Sequence, residues 1–202
     1  MNRSIDLERI AFSISLLVLV LPVAAVYAFT PRTGAESSEV SLVEKTPIVE
    51  VESIGTPVNL QIPRLGIDVV LGTVGLTAKG ALDAPKGPSE AAWYRLGPRP
   101  GEIGSAVIDG HSGWKDGIHA MFDELDLLEK GDRLYVEDDL GAVLVFEVRE
   151  TRMYDENDAT TEVFDSTDGL VHLNLITCEG VWNKMTRSYS QRLVVLTDRV
   201  YE

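Results

Sequence analysis

Beyond residue 57 the apolar positions of this chain recur mainly every second residue, in short runs broken by glycine and proline. Side chains alternate between the two faces of a strand, so this pattern predicts strands with one face on a core. "VNLQIPRLGIDVVLGTVG" holds two such runs with a turn at Pro63–Gly66, and "GSAVIDGH" is a short apolar strand that ends on a glycine. "DRLYVED" and "AVLVFEVRETRMY" lie on either side of Gly141, while "LVHLNLITC" and "QRLVVLTDRV" supply the last two strands. One stretch departs from the pattern. In "HAMFDELDLLEK" the residues Met121, Phe122, Leu125 and Leu128 recur at helical spacing and Gly131 ends the run, which predicts a helix. Many short strands with one or two helices predict a mainly β protein, built as a closed barrel rather than a parallel sheet.

The N-terminal pattern is of another kind. "IAFSISLLVLVLPVAAVYAF", from Ile10 to Phe29, carries no charge and is flanked by Arg9 and Arg32. Twenty helical residues rise about 30 Å, the thickness of a bilayer's hydrocarbon core. Pro22 would kink a soluble helix but is tolerated in a membrane. The expectation is a transmembrane signal anchor over residues 10–30, with residues 1–9 cytoplasmic and the rest outside. A cleaved signal peptide, with Val26 and Ala28 at the cleavage spacing, is the alternative. The orientation rests on Arg3 and Arg9, since Asp6 and Glu8 offset their charge and only basic residues count for the positive-inside rule. Residues 31–56, rich in Ser, Thr, Glu and Pro, read as a flexible stalk, with a polar helix from Ser37 to Lys45 as the alternative. The folded domain is expected over 57–202, with no second membrane segment.

Charge narrows the partners. The net charge is −14, and the four charged residues before the apolar run cancel, so the part beyond it carries all of the excess. Phosphate binding needs a basic face, so nucleic acid is excluded as a partner. There is a single cysteine, Cys178, so no internal disulfide holds the fold.

Cys178 ends the strand "LVHLNLITC", where Val171, Leu173, Leu175 and Thr177 share one face and His172, Asn174, Ile176 and Cys178 the other. His172 stands six positions from the thiol, about 20 Å along a strand, and cannot be its partner. His119 opens the predicted helix and reads as a cap or a solvent-facing residue. His111 follows "SAVIDG" at the mouth of a strand, where Gly110 is expected to let the backbone turn and expose the side chain. If the last two strands pair antiparallel, Arg192 at the start of the second lies beside Cys178 at the end of the first; Arg187, in the loop, is the looser candidate. A guanidinium does not give up its proton, so its use there would be to donate hydrogen bonds to an oxyanion or a carbonyl.

These residues resemble a known family. "NLITC", residues 174–178, is similar to the TLxTC motif of the sortases, membrane-anchored cysteine transpeptidases, with Asn174 in place of the first Thr. "AVIDGH" resembles the family's Gly-His strand end and assigns His111, and "QRLVV" resembles the Arg-Leu-x-Val start of the last strand and assigns Arg192. The resemblance runs from about Val58 to Val200. "RSY" at Arg187–Tyr189 and the stretch "GPRPGEIGSAVIDGH" look like class F sortases and keep Arg187 as a rival to Arg192. A pilin-polymerising class C enzyme fits less well, because those often carry a lid and a second membrane segment.

The resemblance implies a sortase-type barrel and a reaction. Cys178 would attack the Thr–Gly carbonyl of an LPxTG-like sorting signal on surface proteins and form a thioester. His111 would protonate the departing amine and deprotonate the incoming one, and Arg192 would hold the oxyanion or the substrate backbone. The acceptor would be an amine of a cell-wall peptide precursor or of another protein. The connection from Tyr154 to Gly169 would pack over the signal's leucine and proline. Its acids, Asp155, Glu156, Asp158, Glu162, Asp165 and Asp168, match no EF-hand spacing and read as a solvated loop, with calcium, as in some class A relatives, the alternative. No cofactor is implied. Trp93, Trp114 and Trp182 read as core or rim packing. Two rivals stand beside the sortase. An L,D-transpeptidase needs His and Gly just before the cysteine, where this chain has Ile176 and Thr177. A non-catalytic, membrane-tethered β-domain would bury Cys178 as a small hydrophobe.

Overall fold

The computed structural model describes residues 53–155, 158, 160–186 and 188–201. The expected membrane span, nearly all of the expected stalk, and Arg187 and Glu156 lie outside the described residues.

Eight strands close into a barrel: β1 (Pro57–Ile62), β2 (Ile67–Val74), β3 (Ala91–Tyr94), β4 (Gly104–Gly110), β5 (Arg133–Asp138), β6 (Val143–Asp155), β7 (Val171–Asn183) and β8 (Ser188–Val200). Their order around the wall is β1-β2-β3-β4-β7-β8-β6-β5, and β5 pairs back onto β1. Pro63–Leu65 forms a single 3-10 turn between β1 and β2, closed by Gly66 in the left-handed region at φ 65°, where glycine carries no steric penalty. Two of the wall's pairs, β2 with β3 and β4 with β7, are parallel, and the others are antiparallel.

The two-residue period sorts side chains to two sides of the wall. Leu60, Ile108, Leu134, Phe146, Leu173, Leu175 and Val195 belong to the cluster that fills the barrel. One step out of phase, Val107, Ile176, Val194 and Leu196 form a second cluster on the outer side with Tyr154 and Val163. The β4–β7–β8 part of the wall is therefore covered on both faces, which is why "LNLIT" and "LVVL" read as nearly continuous apolar runs rather than strict alternation. The outer cover is the β6–β7 connection, which contains a one-turn helix, α1 (Thr161–Phe164). Asn174 Nδ2 donates to the Val163 carbonyl at 2.7 Å, and Phe164 meets Tyr94 edge-on at 5.9 Å.

The expected helix at "HAMFDELDLLEK" is corrected to a string of turns with one 3-10 turn, Leu125–Leu127. Its apolar residues do reach the core, for Phe122 and Leu125 are fully buried. The backbone is held by a side chain instead of a helical ladder: the Asp123 carboxylate accepts the N–H groups of Gly113 at 2.7 Å and Ala120 at 2.8 Å.

Asp138 anchors the start of the domain. It is 4% exposed, and its carboxylate accepts N–H groups from Gly55, Leu140 and Ala142 at 2.9–3.0 Å. Burial alone would raise its pKa, but the backbone donors of Ala142, Gly55, Leu140 and Gly141 outweigh it and the pKa is lowered from 3.8. This stability is present above the ordinary carboxylate value and is lost as pH falls through the lower folded one. Asp138→Ala should therefore cost about 1–3 kcal/mol at neutral pH, because it strands the N–H of buried Gly55 and removes the acceptor shared by Leu140 and Ala142. Urea melts of the two proteins should converge as the wild type is acidified through the folded value.

Candidate active site

Strand pairing lays the candidate residues out in rows. In the parallel β4–β7 pair Asp109 stands opposite Ile176, and in the antiparallel β7–β8 pair Ile176 stands opposite Val194 and Cys178 opposite Arg192. His111, one residue past the end of β4, borders the same two cavities as Cys178 and Arg192. His111, Cys178 and Arg192 are thus gathered along one edge of the outer wall, and the row behind them reads Asp109, Ile176, Val194.

This edge is pinned from the barrel side. Thr177 points inward, and its Oγ1 donates to the Gly110 carbonyl at 2.7 Å, which ties the strand end carrying the thiol to the one carrying the imidazole. The Phe122 N–H donates to the His111 carbonyl at 2.9 Å. Gly110 was expected to serve a turn, but it is not among the residues with positive φ. It is small for a packing reason, since a Cβ there would come within 2.5 Å of Phe122 Cδ2.

Cys178 is partly buried and in no disulfide. With His111 and Arg192 it borders two cavities. The first, about 550 Å³, is walled by Leu82, Tyr94, Phe164 and Ile176, with the carboxyls of Asp109, Asp155 and Asp158. The second, about 770 Å³, is walled by Trp114, Trp182, Tyr189 and Ser188. The thiol therefore lines two cavities, with the imidazole and the guanidinium on the rim of both.

Each polar partner has a defined state. His111 Nε2 lies 2.7 Å from the Pro85 carbonyl oxygen, which can only accept, so Nε2 carries a proton and Nδ1 is the nitrogen left to exchange one. The His111 ring packs at 4.7 Å against Trp114, so this tryptophan orients the imidazole rather than merely filling the rim. Arg192 Nη1 donates to the carbonyls of Tyr189 (2.9 Å) and Gln191 (2.8 Å), and Nη2 to Ser188 Oγ at 3.0 Å. These bonds fix the fork beside the thiol. Asp109 is the residue that sequence reasoning missed. Burial pushes its carboxyl up to about 8, against the pull of the Arg192 guanidinium and the Gly110 N–H, and Asp83 adds to the rise. The available signal was an acid inside an otherwise apolar strand, directly before Gly-His.

The remaining histidines are placed elsewhere, and several acids of the β6–β7 region are engaged in pairs of their own. His172 is buried and held by two carboxylates, Nδ1 at 2.8 Å from Asp198 and Nε2 at 3.0 Å from Asp168. His119 is exposed near Asp123. Within the β6–β7 connection Glu162 pairs with Arg152 and Tyr154, Asp168 accepts from Leu170 N–H and His172, and Asp155 accepts from Gln191. Among the described residues no group of three or more potential ligands is gathered for a metal ion.

A fixed thiol, imidazole and guanidinium between two chambers define a site suited to acyl transfer through sulfur. Residues 60–200 match the sortase domain, and the chain belongs to the sortase family of cysteine transpeptidases. Sortase C-1 from Actinomyces oris is 25% identical, with a TM-score of 0.53 and 71% of each chain covered. A lid mutant of sortase A from Corynebacterium diphtheriae shares the fold at 21% identity and a TM-score of 0.53, over 71% of this chain and 69% of that one. The complex of Streptococcus agalactiae sortase C1 with MTSET does so at 22% and 0.51, over 71% and 68%. No curated protein matches.

Proposed function

We propose that this chain is a membrane-anchored sortase whose ectodomain lies outside the cell. It cleaves an LPxTG-like sorting signal between Thr and Gly and passes the acyl group to an amine of the cell wall or of another protein. The observation that carries this reading is the group of His111, Cys178 and Arg192 shared by both cavities. The Cys178 thiolate attacks the scissile carbonyl, and the acyl-enzyme splits one difficult transfer into two easier ones. The thiolate is the reacting form, and Arg192 stands opposite Cys178 on the neighbouring strand. With Cys178 as thiolate, His111 carries a second proton on Nδ1; it gives this proton to the leaving amine and, left neutral, takes one from the acceptor. Arg192 donates to the oxyanion or to the substrate backbone. The first cavity, closed by the β6–β7 connection, takes the sorting signal, and the second takes the amine. The apolar run over residues 10–30 holds the enzyme at the membrane where both substrates arrive.

Cleavage of an LPxTG-type fluorogenic peptide by the protein tests this, with an added amine increasing the transfer product at the expense of hydrolysis. Arg192→Ala should lower kcat/KM about 10²–10³-fold, the scale of losing an oxyanion donor. Arg192→Lys should recover only part of it, because an ammonium lacks the planar fork. Arg187→Ala should keep most of the activity; if it alone is dead, the arginine is Arg187.

A further inference from the structure

Asp109 sits in the floor of the first cavity, one row from the thiol. Its row neighbours on the outer wall, Ile176 and Val194, are apolar, and Tyr94 and Phe164 close the sides. A carboxyl in such surroundings is costly to bury without a partner that donates to it. The cation that acts on it, Arg192, already donates to two carbonyls and a hydroxyl at the start of β8. Asp155 and Asp158 face the same cavity, and Asp83 is close enough to act on Asp109 electrostatically. The chamber therefore holds one guanidinium against several carboxyls, inside a protein of net charge −14. Charge arrangements of this kind select partners more than they add affinity.

Building on the transpeptidase reading, we propose that Asp109 is a specificity-determining residue that pairs with a basic side chain of the sorting signal, a lysine or arginine just upstream of the scissile bond. Two residues of extended chain span about 7 Å, the same step that separates the rows. With the scissile carbonyl at Cys178, a donor peptide running over β7 brings a side chain above Asp109 within two to four residues of the bond. The incoming cation adds a counter-charge to the Gly110 N–H that the carboxyl already has, and the apolar walls take up the methylene stem.

The test is a set of donor peptides, identical except for lysine, norleucine or glutamate at each position two to four residues upstream of the scissile bond. Norleucine keeps the stem and removes the charge. The wild type should favour lysine over norleucine by about tenfold or more in kcat/KM at one position, and disfavour glutamate there. In Asp109→Asn, which keeps the shape, that ratio should collapse toward one. Equal use of lysine and norleucine by the wild type at every position overturns the proposal without touching the transpeptidase reading, as does an unchanged ratio in Asp109→Asn. If no peptide is cleaved and no thioester forms on Cys178, the reading beneath it fails and the proposal falls with it.

Discussion

Cys178→Ala should abolish transpeptidation, lowering kcat/KM by at least about 10⁴-fold, because it removes the sulfur nucleophile that forms the acyl intermediate. The fold should survive. The thiol is partly buried on the outer wall, and the barrel interior beneath it is filled by Leu175 and Val195, which the substitution does not touch. The expected change in stability is within about 1 kcal/mol. Peptide cleavage and a thermal melt on the same preparation check both halves. A variant that loses activity only because it unfolds would not support the assignment. Thiol labelling addresses the rival in which the cysteine is inert: Cys178 should react with a methanethiosulfonate reagent in the folded protein, whereas a core cysteine reacts only after unfolding.

His111→Ala should lose about 10²–10⁴-fold, the contribution of one positioned proton-transfer group. The structure allows a sharper form of this test. His111 makes one hydrogen bond that serves position, from Nε2 to Pro85, and keeps Nδ1 for exchange. His111→Asn can donate from its amide but cannot take up a proton near neutral pH. It should therefore be nearly as inactive as the alanine variant, and if asparagine restores most of the rate, the residue holds substrate rather than moving protons. Trp114→Ala should be milder, since it removes the ring that packs on the imidazole and leaves the imidazole itself.

The period of two was enough to place most of the strands and to put Cys178 on the face opposite Leu175 and Thr177, because a buried face tolerates no slip in register. It was also enough to pair Cys178 with Arg192, since consecutive strands joined by a short connection pair antiparallel and the strand ends then meet. β3 was not visible because four residues, Ala91–Tyr94, are too few to show an alternation. The turn segment from Met121 to Leu128 imitated a helix: its apolar residues need only reach the barrel core, and any chain that coils back on itself every three or four residues does that. α1 was invisible for the opposite reason, being a single turn whose place is fixed by hydrogen bonds from distant Ser105 and Asn174. Gly110 was recognised as important for the wrong reason, as its constraint is the Phe122 ring and not the backbone. Asp109 left a local trace, an acid in an apolar strand, but its neighbours on β8 are set by the pairing, and Trp114 gains its significance from the His111 ring, which no local pattern announces.

The account rests on sulfur carrying the acyl group, and intact-mass spectrometry after brief mixing with a sorting-signal peptide measures that directly. The protein should gain the mass of the peptide fragment up to the scissile threonine, on Cys178, and lose it on addition of hydroxylamine or an amine acceptor. Cleavage that proceeds without any such adduct, and that persists in Cys178→Ala, would contradict it.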